Sequence, residues 1–162
     1  MHVSRIVLDI EAWYRHDRDE RAALMYAPTV SADEADILSD DALSDADRLP
    51  EVTKQHGLVG HAQAAARARV GNVPKINRRD FATVDDGLPG THFVSLQRQR
   101  PDFVSTRAIM NASDAALHSR QVGPRHRNGI NAFMDVRSRA NFIVPPVTHR
   151  AFPFLPDEDP QR

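Results

Sequence analysis

Thr91-His92-Phe93-Val94-Ser95-Leu96-Gln97 is the stretch on which the reading of the fold turns. It gathers Thr, Phe and Val behind the turn-forming run Asp85-Asp86-Gly87-Leu88-Pro89-Gly90, a combination that predicts a strand entered from a loop. Shortly after it, Pro101 stands where a helix can begin, and Phe103, Val104, Ile109 and Met110 give residues 102–111 one apolar side. Ahead of it, Val73-Pro74-Lys75-Ile76-Asn77-Arg78 reads as a short strand, placed at a sheet edge because Pro74 lacks a donor. The chain opens on residues 2–10, which set Val3, Arg5, Val7 and Asp9 on one side and Ser4, Ile6, Leu8 and Ile10 on the other. Near the other end, Phe133-Met134-Asp135-Val136-Arg137 leads to Asn141-Phe142-Ile143-Val144, expected as the last strand and stopped by Pro145-Pro146. The order β-α-(loop)-β-β-α-β is that of a ferredoxin-like split β-α-β sandwich of the α+β class, an antiparallel sheet with helices on one face. One domain over residues 1–150 is expected, followed by a Pro-rich tail over 151–162.

The long connection after the first strand carries its own signals. Glu11-Ala12-Trp13-Tyr14 turns into a helix, and Asp17 can cap a second one over residues 18–27, which Pro28 ends. Residues 29–50 are rich in Asp, Ser and Ala, with a short helix over 32–38 and otherwise a solvated acidic loop. Residues 50–56 make a helical turn that Gly57 closes, and a short helix covers 113–118.

The 162 residues suffice for a single hydrophobic core, and 41% hydrophobic with 27% charged residues describes a globular chain. With no cysteine, disulfides, thiolate nucleophiles, zinc–thiolate sites and iron–sulfur clusters are excluded. No run approaches the roughly 18 apolar residues of a membrane span, and the N-terminus lacks a signal peptide's apolar core, so no membrane partner is expected. A core strand beginning at residue 2 suggests the later part of a longer chain. The charge is divided: residues 1–50 hold 12 acids against 5 Lys/Arg (net −7), residues 51–162 hold 10 against 16 (net +6). A basic second half suits phosphate or a carboxylate-bearing cofactor, and without interleaved aromatics it does not suggest nucleic acid.

The eight histidines form no H-x-H or H-x-x-x-H pair, so a multi-histidine metal site is not signalled. Nothing like G-x-S-x-G or a Gly-rich phosphate loop appears. What stands out is His61 at the head of an Ala-rich turn, Gly60-His61-Ala62-Gln63-Ala64-Ala65-Ala66-Arg67, with Arg78-Arg79-Asp80-Phe81 following. A neutral imidazole is offered to a metal, and a fixed cation to an anionic group beside it.

These landmarks, in this order, resemble the C-terminal half of the dye-decolorising haem peroxidases, deferrochelatase-type members included. Arg5-Ile6-Val7-Leu8-Asp9-Ile10-Glu11-Ala12-Trp13 is similar to that half's opening strand. An acidic loop follows, then Gly60-His61-Ala62-Gln63 where the family has its proximal iron ligand, and Ile76-Asn77-Arg78-Arg79-Asp80-Phe81 where it has its distal arginine. Gly90-Thr91-His92-Phe93, Phe103 and Phe142-Ile143-Val144-Pro145 complete the series over most of residues 3–146.

The resemblance implies haem b, with its iron held by His61 and Arg78 on the opposite side. Arg78, Arg79 and Phe93 would contact the cofactor, Arg67 and Arg69 could support its carboxylates, and Asp80 would approach the distal side. The implied activity is reduction of hydrogen peroxide with an organic electron donor. The family's distal aspartate, in a Gly-x-x-Asp-Gly motif, has no counterpart in this sequence, so an N-terminal half is expected as partner. Asp135 is the carboxylate nearest in sequence to where the family orients its proximal histidine. A homo-oligomer is compatible with all of this. The competing readings are a haem carrier without turnover and a non-enzymatic ferredoxin-like binding or assembly domain.

Overall fold

The alternation of residues 2–8 makes β1 (His2–Leu8) the central strand of the molecule, hydrogen-bonded on both sides. In this computed structural model, which describes residues 1–38, 44–71 and 73–145, it pairs with β3 (Gly90–Leu96) and with β4 (Met134–Asn141). The strand β2 (Asn77–Thr83) adds to β3, giving one antiparallel sheet of order β2-β3-β1-β4. Among the described residues five α-helices run between β1 and β2: α1 (Ile10–Tyr14), α2 (Arg18–Met25), α3 (Ala32–Ile37), α4 (Leu49–His56) and α5 (His61–Arg67). A sixth, α6 (Arg100–Met110), connects β3 to β4 and packs against α5. The architecture is α+β and compatible with a ferredoxin-like split β-α-β sandwich. Among the described residues no helix is long and apolar enough to cross a membrane.

Local chemistry accounts for the helix boundaries. Asp9 caps α1 through the Ala12 amide (2.9 Å). Asp17 with Glu20 and Ser31 with Glu34 form reciprocal caps at the starts of α2 and α3. Gly57, at φ +60°, ends α4 in the left-handed conformation that an L side chain resists.

Cross-strand register arranges the helix-facing side of the sheet in rows. Arg78, Ser95, His2 and Asn141 form one; Asp80, Phe93, Ser4 and Arg139 the next; Ala82, Thr91, Ile6 and Val136 the third. A bulge shapes the last column: Ile6 pairs with Val136 but Arg5 with Ser138, so Arg137 is an extra residue. Unbroken alternation from Met134 and Val136 would turn Ser138 and Ala140 inward. The bulge presents Arg139 and Asn141 instead.

The buried end of the sheet is polar. His2 is 1% exposed, stacked on Phe103 with ring centroids 3.9 Å apart. Its Nδ1 donates to Asn141 Oδ1 (2.9 Å) and its Nε2 accepts from the Ser4 hydroxyl (2.7 Å). Burial holds its pKa below the ordinary 6.5, which suits that neutral, single-donor ring. The principal apolar core lies elsewhere, under the helices: Leu49, Val59, Ala64, Ala112, Ala115 and Val122, with Met110 against them.

Several expectations are corrected. The second strand is Asn77–Thr83, not residues 73–78: Pro74 cannot donate, and Val73 makes only an isolated bridge to Val70. The last strand is Met134–Asn141, ending where residues 141–144 were expected to begin one, because its antiparallel partner β1 begins at His2, opposite Asn141. The segment expected as a helix over 113–118 shortens to a 3-10 turn at Ala115–Leu117. The acidic loop is not solvated throughout, since Leu49 is buried. Residues 39–43 and the tail from 146 lie outside the described residues.

Leu49 anchors α4 in the core. Leu49→Ala is expected to cost about 2–5 kcal/mol, read as a lowered urea midpoint with an unchanged slope.

Candidate functional site

The position of His61 is set by two close backbone approaches. Gly60 is the residue before α5, and a Cβ there would strike the Tyr26 carbonyl. That carbonyl accepts from the Gln63 amide (3.1 Å), tying the first turn of α5 to the end of α2. From the other side Gly129, at φ +50°, lies so close that a Cβ would sit 2.7 Å from the His61 nitrogen. Val59 and Gly129 are joined by backbone hydrogen bonding (2.8 Å), and Asn128 secures this loop by donating to the Met110 carbonyl (2.9 Å). The buried Gln63 donates to the Asp45 carbonyl (3.2 Å). The helix start is thus clamped between two loops, and its first side chain projects toward the sheet.

A cavity of about 630 Å³ separates α5 and α6 from the sheet, within the range of small-molecule and cofactor sites. His61 lines its helical wall; Arg78, Asp80 and Phe93 line the sheet wall. Ile6, Leu8, Ile76, Phe103, Met110 and Ile130 supply much of its apolar surface. The charged side chains on it are unequal in sign: Arg69, Lys75, Arg78, Arg107, Arg125 and Arg139 against Asp80 and Asp135. An apolar slot with a cationic lining suits an amphiphile bearing anionic groups.

The His61 ring is half-buried, and among the described residues neither of its nitrogens has a hydrogen-bond partner. Burial, with the Arg78 cation adding to it, pushes its pKa down to about 4. The imidazole is therefore neutral near pH 7, the form that can give a lone pair to a metal. Among the described residues no group of three or more His, Asp or Glu is arranged to hold a metal ion. The donor set is one imidazole, which suits a metal already held in a macrocycle.

Strand alternation decides the rest. Arg78 and Asp80 share the cavity side of β2, and both are exposed where the cavity opens at that edge. Arg79, expected at the cofactor, is turned to the opposite side, where its Nη1 donates to the Arg78 carbonyl (2.9 Å). Arg67 pairs with Asp114 (2.9 Å) instead of entering the cavity. Asp135, whose approach to His61 the sequence leaves open, is engaged by Arg137 (3.0 Å) and Arg125 (3.9 Å). Reading the sequence missed Arg107 and Arg139. Arg107 lies four residues after Phe103, on the inward side of α6, a spacing that could have found it. Arg139 depends on the bulge.

A model of a family of unknown function (DUF7405) matches residues 1–146. No curated protein and no solved structure matches the chain.

Two tests follow from the clamp and the neutral ring. Gly129→Ala forces an L side chain to φ +50° against α5 and should lower stability by about 1–3 kcal/mol in denaturant melts. On acidification from pH 6.5 to 4 the unfolded chain takes up a proton that folded His61 refuses, so stability falls across that window. His61→Gln should remove that component, seen as a shallower dependence of thermal midpoint on pH.

Proposed function

Because the chain belongs to a family of unknown function, membership assigns it no activity, and we propose from its own residues that it binds haem b and acts as a peroxidase of the dye-decolorising type, reducing hydrogen peroxide with an organic donor. One observation carries the reading: a neutral, unpartnered imidazole on the helical wall of a cofactor-sized cavity whose sheet wall offers Arg78 and Asp80. The residues fit the group. His61 would hold the iron, Phe93 and its apolar neighbours would cover the macrocycle, and the cationic lining would meet its carboxylates.

When bound, haem supplies the iron whose redox chemistry couples peroxide to the donor. The chain's own residues supply the electrostatics and the proton. Arg78 is a permanent cation that stabilises negative charge developing on a peroxide oxygen. Asp80, two residues along the same side of β2, can take the peroxide proton and return it to the departing oxygen. His61 contributes its lone pair. Among the described residues its second nitrogen has no carboxylate acceptor, Asp135 being engaged by Arg125 and Arg137.

Titration of the purified chain with haemin tests the reading. A Soret band that His61→Ala shifts or abolishes is expected. Arg78→Ala should retain the band while lowering peroxide-dependent donor oxidation about 10²–10³-fold, and Asp80→Asn about 10²–10⁴-fold. A band indifferent to His61, or no haemin uptake, overturns the reading. Tight haemin binding without turnover, including after addition of an N-terminal half, would reduce it to a haem carrier.

A further inference from the structure

Arg78 is not the cavity's only concentration of positive charge. Arg139 reaches the cavity from β4, at the opposite margin of the sheet, three strand spacings or about 14 Å from the Arg78 column. It does so only because the bulge at Arg137 reverses the inward and outward positions beyond it. Arg107 joins it from α6, one turn after Phe103, which packs on His2. The buried His2 senses both guanidiniums, whereas His61 senses only Arg78. The cavity thus has two cationic poles.

At the second pole, neither guanidinium has a carboxylate within ion-pairing distance among the described residues. Asp135 is the acid on that side, and it is paired with Arg125 and Arg137. Half-buried Arg107 is held below its ordinary pKa by burial and then by Arg139. A half-buried guanidinium with exposed Arg139 beside it raises the energy of the unliganded protein, and a bound anion relieves that cost.

We propose that Arg107 and Arg139 form a second anion subsite, at the β4 end of the cavity, which takes a carboxylate of the bound tetrapyrrole. The inference rests on the haem reading for its ligand, yet it concerns different residues and a different bond. Arg78 is thereby left to the iron side, and the two arginines at β4 discriminate diacid porphyrins from their neutral esters.

The test uses metal-free protoporphyrin IX, followed by fluorescence, and haemin, followed by absorbance, each against its dimethyl ester. The intact chain should bind either diacid at least tenfold more tightly than the ester, since a charge-assisted contact of about 1.5–3 kcal/mol is worth about 10–100-fold. Arg107→Gln/Arg139→Gln should erase that preference while its ligand-free thermal midpoint stays equal or rises, as like-charge repulsion is lost. His61→Ala should keep the preference for metal-free protoporphyrin. Equal binding of acid and ester by the intact chain overturns the subsite, as does a preference that survives in the double variant. So does displacement of neither diacid but binding of inorganic phosphate alone at the two arginines, which would mark a free-anion site. If metal-free diacid preference persists while no His61-dependent Soret band forms, the subsite stands and the iron-ligand reading fails.

Discussion

Contact between glycine backbones and the first turn of α5 is the constraint from which the cavity follows. Gly60 admits the Tyr26 carbonyl and Gly129 admits the His61 backbone, both closer than any side chain would allow. The helix is short and consists largely of alanine, so it has little apolar bulk with which to fix its own position. Loops on either side hold it instead, and they hold it away from the sheet. The gap that results is the cavity.

This explains why the apolar core is displaced. In a two-layer sandwich the space between helices and sheet usually carries the main hydrophobic packing. Here Leu49, Val59 and Val122 bury their side chains beneath the helices, while the sheet's inner rows present Arg78, Asp80, Ser4 and Arg139 to an open volume. Stability is drawn from one side of the helical layer, and the other side borders the cavity. Burial of His2 against Phe103, with both ring nitrogens satisfied, closes the end of the sheet where the two regions meet.

How much of this was legible in the sequence depended on whether the signal was local. The alternation in residues 2–8, the cap Asp17 and the stop at Gly57 are short-range properties, and each placed its element within a residue or two. The order of elements, and so the architecture, followed from them. Facing directions were harder. Arg79 was placed beside Arg78 by adjacency, though adjacent strand residues point apart. Leu49 was assigned to a solvated loop because acidic neighbours masked it, while packing against Val59 and Ala64 makes it core. The pairing of Asp135 with Arg125 and Arg137 and the inward turn of Arg139 arise from tertiary register, which composition does not encode.

The irregularity in β4 has an evolutionary side. Flattening the bulge with no residue lost would slide Ser138 opposite Ser4 and Ala140 opposite His2, rotating the small Ser–Ala side of the strand inward in place of Arg139 and Asn141. Deleting residue 137 or 138, by contrast, would keep Arg139 opposite Ser4. The lining at that end could thus change from cationic to neutral through a slip of register alone, with every residue type still present in the chain. Substitutions that favour or flatten the bulge, without touching the cavity surface, are therefore a route by which relatives of this chain could diverge in what lines it.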